Sequence, residues 1–372
     1  MKDYTIILTL FFVNALLAQK SVIALDSIEN LLNNDVKKEL SAEIKDKNMI
    51  FLGESEHHIG SDFEAKTKFV KFLVLEYGFK HIAFEGDFFA LNYTHDKNDL
   101  YSFWAKSKQC KELFAFLEEQ QVTIWGFDNQ FSSAFSFQNF SNKLFLYLDQ
   151  NKIAYDLTFK NNVEIVCSEG PELQKKLTKK EVAVLVETIE NLSTNNLIVK
   201  NGIWFQFLQS FKSMILQYTT PKSDAYAIRD GQMAKNLDFI AKSLKQEKII
   251  VWAANAHISR LNQEFMKGKI MGSQFLQQSD RQTYHIAFAP ITMPYRKSQY
   301  ILSQAKQPNN LLNLLPNTNK NAIIISNLIA KEAPSIRSKK FIGMFGMGNT
   351  AFNYFEHFDA IVFIANGEKV SY

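Results

Sequence analysis

The chain has 372 residues, 46% of them hydrophobic and 22% charged, with a formal net charge of +4. That length and apolar content suffice for a well-buried core and exclude a disordered or low-complexity chain. The lysines fall in dispersed pairs such as Lys175-Lys176 and Lys179-Lys180, with no basic stripe interleaved with stacking aromatics, which argues against a nucleic-acid partner.

At the amino end, Lys2 precedes an uncharged apolar stretch from residue 4 to residue 17, and Leu16-Leu17-Ala18 offers small or aliphatic residues where a cleavage site is expected. Residues 1–18 are therefore predicted to be a signal peptide, leaving residues 19–372 as one mature domain that is periplasmic or secreted. The stretch is shorter than the ~20 apolar residues of a membrane span, so no stable membrane insertion is expected. Export leads to an oxidising or neutral compartment, where Cys110 and Cys167 either form one bridge or stay free thiols.

An apolar run over residues 48–52 reads as a strand that leads through Gly53 to Glu54 and His57. Ser61-Asp62-Phe63-Glu64 then fits a capping box, predicting a helix that opens at Ser61, runs through Phe63, Lys66, Val70, Leu73 and Tyr77, and stops at Gly78. The amides at that helix start would favour a negative charge developing nearby. A second strand over residues 81–84 ends on Glu85, and a third over residues 122–127 ends on Asp128.

From about residue 136 to 246 the pattern is mainly helical and reads as an insertion or lid. Residues 179–192 and 198–218 carry apolar side chains at helical spacing, with a turn between them. A further helix from about Ser223 places Tyr226, Met233, Leu237, Ile240 and Leu244 on one face, with Arg229 beside it. A buried guanidinium needs an acceptor, so Arg229 is expected to reach Glu85, Asp128 or a bound anion, or else to serve a purely structural ion pair. The next strand, residues 248–252, ends at Asn255 and His257. Strand-like stretches at residues 284–289, 322–325, 341–345 and 360–364 complete the sheet.

Four apolar runs thus end on polar or ionisable side chains. Short apolar runs bounded by turn signals are the mark of buried parallel strands, and ligands of such sheets gather at the carboxyl ends of the strands. The fold class expected is α/β, a central largely parallel sheet flanked by helices, with the four ends converging on one pocket; the alternative is that each polar group merely caps its own strand. His81, His95, His285 and His357 lack companion motifs and read as structural or surface residues.

In its ordered set of short motifs the chain resembles the erythromycin esterase family, which shares a wider α/β fold class with some haem-binding lipoproteins. The motifs are Leu52-Gly53-Glu54-Ser55-Glu56-His57, Gly78-Phe79 with Ala83-Phe84-Glu85, Gly126-Phe127-Asp128, Arg229-Asp230 with Met233-Ala234 and Asn236, and Trp252-Ala253 with Asn255-Ala256-His257. They span roughly residues 48–260, and the remainder is similar only loosely. The resemblance implies water-driven opening of a macrolide lactone, with His57 as general base, Glu54 and Glu85 beside it and His257 across the pocket. Lys66, Asp128, Arg229 and Asn255 would line the substrate side. Three positions depart from the family pattern: Ala254 where a second His is usual, Lys66 where an Arg is usual, and His58 where a Gly is usual.

The chemistry stands without the resemblance, since a neutral imidazole takes a proton from water near neutral pH while a carboxylate on its other nitrogen fixes the tautomer. The partner expected is therefore a small-molecule ester or lactone, with no cofactor. Two alternatives remain open: a divalent metal or haem held by Glu54, His57, Glu85 and His257, and a non-catalytic pocket for an apolar ligand walled by some of the 33 phenylalanines.

Overall fold

The computed structural model describes residues 21–262, 269–293, 307–347 and 350–372; the export signal read at residues 1–18 lies outside them. Eight strands form one mixed sheet: β1 (Val22–Leu25), β2 (Met49–Glu54), β3 (His81–Asp87), β4 (Thr123–Asp128), β5 (Ile249–Ala254), β6 (Thr283–Thr292), β7 (Asn321–Ile325) and β8 (Ala360–Asn366). Their order is β1-β7-β8-β6-β2-β5-β3-β4. The run from β8 to β4 is parallel throughout, and antiparallel pairing is confined to β7 with β8 and β1 with β7. The expected α/β class is thus observed.

Alternation along the central strands divides the core between the two faces. Ile50, Leu52, Ile82, Phe84, Ile250 and Trp252 point to one side, where helix α1 (Gly60–Tyr77) covers them. Phe51, Ala83, Val251 and Ala253 point to the other, where the helices between β4 and β5 pack. The short helix α2 (Ser102–Ala105) lies between β3 and β4 in sequence. The helices between β4 and β5 end with α3 (Ile203–Thr219) and α4 (Lys222–Ser243), and α5 (Asn255–Ile258) follows β5 directly. Cys110 and Cys167 belong to the cores on opposite faces of the sheet, so they are two free buried thiols and no bridge joins them.

Four local expectations are corrected. The helix after His57 begins at Gly60 with Ile59 at its cap and no side-chain capping bond. Ser61 is instead fully buried and accepts a bond from the Glu368 amide, so a tertiary contact has displaced the capping box. Residues 198–218 are not one helix: the chain breaks at Gly202, whose φ of 67° ends one helix and starts α3. Residues 341–345 form no strand, only bridges from Phe341 to Phe352 and from Ile342 to Asn310. Tyr226, placed on the apolar face of its helix, is 54% exposed. The edge strand β1 went unread because four residues carry too little periodicity.

The register of β3 against β4 shifts between Phe84 and Asp87, a bulge that re-aims Glu85 at the strand end. Gly126 permits it, because a Cβ there would stand 2.5 Å from the Asp87 carbonyl oxygen and 2.6 Å from that of Gly86. Gly126→Ala should therefore push the backbone apart and lower stability by about 1–3 kcal/mol in urea unfolding; an unchanged midpoint would show that the bulge tolerates a side chain.

Candidate active site

Because β2, β5, β3 and β4 are consecutive neighbours, their carboxyl ends bring Glu54, the α5 turn with His257, Glu85 and Asp128 to one edge of the sheet. Glu85 is the hub. Its Oε1 accepts from Arg229 Nη2 at 2.7 Å and lies 3.3 Å from His257 Nε2 and 3.8 Å from His57 Nε2, while Oε2 accepts the Ala254 amide at 2.9 Å. Asp128 takes the same guanidinium through both oxygens, from Nε at 3.1 Å and Nη2 at 2.7 Å. Arg229 therefore reaches both carboxylates named as its candidates.

Each histidine is held by its own carboxylate on Nδ1. Glu54 Oε1 stands 2.8 Å from His57 Nδ1, and Asp230 Oδ2 stands 2.9 Å from His257 Nδ1. Asp230 also accepts the Met271 amide, so it is fixed from two sides. The two imidazoles differ in access: the His57 side chain is 36% exposed, that of His257 only 10%. Phe103 of α2 stacks on the His57 ring at 5.1 Å, and Trp104 meets its edge at 5.7 Å, so the ring plane is set by aromatic walls.

The charges shape one another. Burial pushes the His57 pKa down, but Glu85 and Glu54 outweigh it and hold the group above its ordinary 6.5. Burial also disfavours charge on His257, and there Asp230 and Glu85 prevail, raising it to about 9. Burial would raise Glu85, yet His257, Arg229 and His57 together hold it well below the usual carboxylate range. Asp62, fully buried against Ser55, is pushed up to about 7 by its burial.

Three residues expected on the substrate side lie buried. Lys66 is fully buried; it donates to Glu54 Oε2 at 2.8 Å and sits 3.9 Å over the Trp252 ring, so it orients Glu54 and touches no pocket wall. Asn255 is buried and brackets β6, donating to the Phe288 carbonyl at 2.7 Å and accepting from its amide at 3.3 Å. Asp128 is likewise buried and serves Arg229. At the start of α1 the Gly60 N–H donates to the Glu368 carbonyl, and in the preceding loop the Ser55 N–H donates to Asp62, so neither of these two amides is left for an anion. Among the described residues no group of three or more His, Cys, Asp or Glu side chains has an arrangement that would hold a metal ion.

Asp230 and the stack on His57 had no assigned role. Their signals were the Arg229-Asp230 pair and the aromatic run Tyr101-Ser102-Phe103-Trp104. Arg229 also forms part of a cleft of about 490 Å³ whose wall includes Gln130, Gln217, Tyr218, Lys222 and Tyr226 from the helical segment and its flank.

The profile of the family described as Erythromycin esterase matches residues 74–366. The match includes Glu85, Asp128, Arg229, Asp230 and His257, begins after His57, and continues well past the residue 260 where the short motifs end. A Bacillus subtilis (strain 168) protein named "Putative hydrolase YbfO" is 25% identical over 304 residues, covering 69% of this chain and 68% of that one. Among solved structures, a succinoglycan biosynthesis protein aligns over 96% of this chain and 97% of its own, with TM-score 0.75 and 16% identity. A mutant of erythromycin esterase EreC in its open conformation aligns over 94% and 98%, with TM-score 0.66 and 13% identity. At such identities these two structures share the fold.

The high His257 pKa ties stability to pH. A group whose folded pKa exceeds its unfolded one stabilises fully below the unfolded value, near 6.5, and loses that contribution as pH rises through about 9. Thermal stability should fall over that interval in the wild type, and His257→Gln should flatten the fall; equal slopes in the two proteins would place the proton elsewhere.

Proposed function

This chain belongs to the erythromycin esterase family, and from that membership and the geometry of the site we propose that it is a hydrolase opening a small-molecule ester or lactone by His57-assisted attack of water. The observation that carries this reading is the state of His57. Its Nδ1 is committed to Glu54, its Nε2 faces Glu85 across 3.8 Å, and it is the most exposed ionisable side chain of the cluster.

With Nδ1–H donated to Glu54, the Nε2 lone pair is left to accept a proton. A water bridging His57 Nε2 and Glu85 Oε1 would lose that proton to the imidazole as its oxygen attacks the ester carbon. The new imidazolium lies beside two carboxylates, which lowers the free energy of the charge it acquires. Arg229, whose Nη1 lies 3.2 Å from His257 Nε2, and the His257 ring beside Glu85 would face the oxyanion. As the tetrahedral intermediate collapses, the imidazolium returns its proton to the leaving alkoxide. No cofactor enters the scheme. The cleft beside Arg229 would take the remainder of the substrate, its volume lying within the range of small-molecule sites. Export through residues 1–18 would place the reaction in the periplasm or the medium.

Incubation of wild type and His57→Ala with a 14-membered macrolide, and separately with aryl esters, should give addition of one water by wild type alone, the variant losing about 10²–10⁴-fold in kcat. Equal turnover by the two proteins would remove His57 as the base. The acid limb of kcat/KM should lie above the ordinary imidazole value of 6.5, because Glu85 and Glu54 favour the protonated ring. A limb at or below that value would mean that these carboxylates do not act on the base in solution.

A further inference from the structure

The segment from Ser55 to Ile59 connects β2 to α1 and carries His57; beside its local bonds to Asp62, Glu54 and Glu56, it is held by residues 368–371, more than 300 positions away in sequence. β8 runs parallel to β6, and β6 parallel to β2, so the last residue of β8 emerges at the same sheet edge as Glu54. After Asn366 the chain turns at Gly367, where a Cβ would stand 2.2 Å from Met293 Sδ and 2.7 Å from the Thr292 carbonyl oxygen. It then crosses the sheet edge to the His57 segment.

There it makes a short antiparallel ladder. Ile59 pairs with Lys369; Gly60 N–H donates to the Glu368 carbonyl at 2.8 Å; the Glu368 amide donates to Ser61 Oγ at 3.2 Å; and the Val370 amide donates to the His58 carbonyl at 3.0 Å. The far end is anchored in turn. Ser371 accepts from the Lys108 amide at 2.8 Å, and its own amide and hydroxyl engage the two ends of the Gln109 side-chain amide, each at 3.1 Å. Val370 is buried in the core on the α1 face of the sheet. Gly346, at φ 80°, packs so closely beneath the same segment that a Cβ would lie 2.1 Å from the Ser55 carbonyl oxygen.

Resting on the esterase reading, we propose that residues 368–371 are a positioning strap for the reaction: their backbone holds the segment that sets the His57 ring between Glu54 and Glu85. The strap touches no reacting atom. Its partners at Gly60 and His58 are backbone groups adjoining the base, and a loop this short has few other ways to satisfy them. The absence of a side-chain cap on α1 follows from the same arrangement, since the Ser61 hydroxyl serves the strap.

Deletion of residues 368–372 tests this directly. With the sheet retained and Val370 the one core side chain lost, the truncated protein should keep its far-ultraviolet circular dichroism while kcat falls at least 10-fold and KM changes less than 3-fold. Adding the free pentapeptide Glu-Lys-Val-Ser-Tyr in millimolar excess should restore much of the loss. In the full chain, Val370→Pro, which removes the amide donated to His58, should reproduce the loss, and Val370→Ala, which keeps that amide while shortening the buried side chain, should stay within 3-fold of wild type. A histidine NMR titration gives a readout that needs no substrate. In the full chain His57 should titrate above 6.5, and after truncation it should move down toward that value as the ring leaves its two carboxylates. An unchanged His57 titration in the truncated protein would overturn the strap. A shifted titration in a protein whose full-length form hydrolyses no ester would keep the strap and discard the esterase reading.

Discussion

The site depends on one buried carboxylate, Glu85, and on the guanidinium and two imidazoles arranged around it. An ionised carboxylate sealed from water is strongly unfavourable unless neighbours replace its hydration. Glu85 meets that demand with Arg229, His257, the nearby His57 ring and the Ala254 amide, and each of these comes from a different element. The carboxylate therefore couples β3, α4, the β5–α5 turn and the loop after β2 in one electrostatic unit. Removing any partner would alter the field on the others, and both histidines, each with a carboxylate on Nδ1, are raised above the ordinary imidazole value.

The sheet makes this convergence inevitable, and the helical segment between β4 and β5 completes it. Parallel neighbours end together, which places Glu54, Glu85 and Asp128 at one edge, but three carboxylates alone would repel one another. α4 supplies Arg229 to bridge two of them, and the adjacent Asp230 turns to His257. Consecutive helical residues point about 100° apart, which lets one step of chain serve both Glu85 and the histidine behind it. Lys66 has the equivalent task beneath Glu54, rising from α1 inside the core.

Much of this was legible in the sequence because the determining signal is local: an apolar run and the polar residue that ends it. Glu54, His57, Glu85, Asp128 and His257 were marked in that way, and the structure brings all five together. What local pattern does not encode is which side of a residue meets water. Lys66 and Asn255 carry the polarity of substrate contacts, yet one lies under Trp252 and the other brackets β6, both placed by packing far away in sequence. The Ser61 capping box failed for the same reason: the local bond was available, and a segment about 300 residues distant offered a better one. Phe103 was hidden because a ring stacked on a histidine reads like any other core aromatic.

The position where the family usually has a second histidine shows how the hub limits such changes. At Ala254 the group that engages Glu85 is the backbone amide, at 2.9 Å, and a backbone amide is supplied by any residue except proline. The orientation of Glu85 thus does not rely on the missing imidazole. Its charge balance is more exposed to the loss, because Arg229 and His257 are then the groups closest to Glu85 Oε1. Arg229 is fixed by Asp128 in a fork that a lysine would not reproduce, and Asp230 raises the proton affinity of His257. Those two carboxylates, through Arg229 and His257, accordingly bear on how much negative charge Glu85 presents to the base.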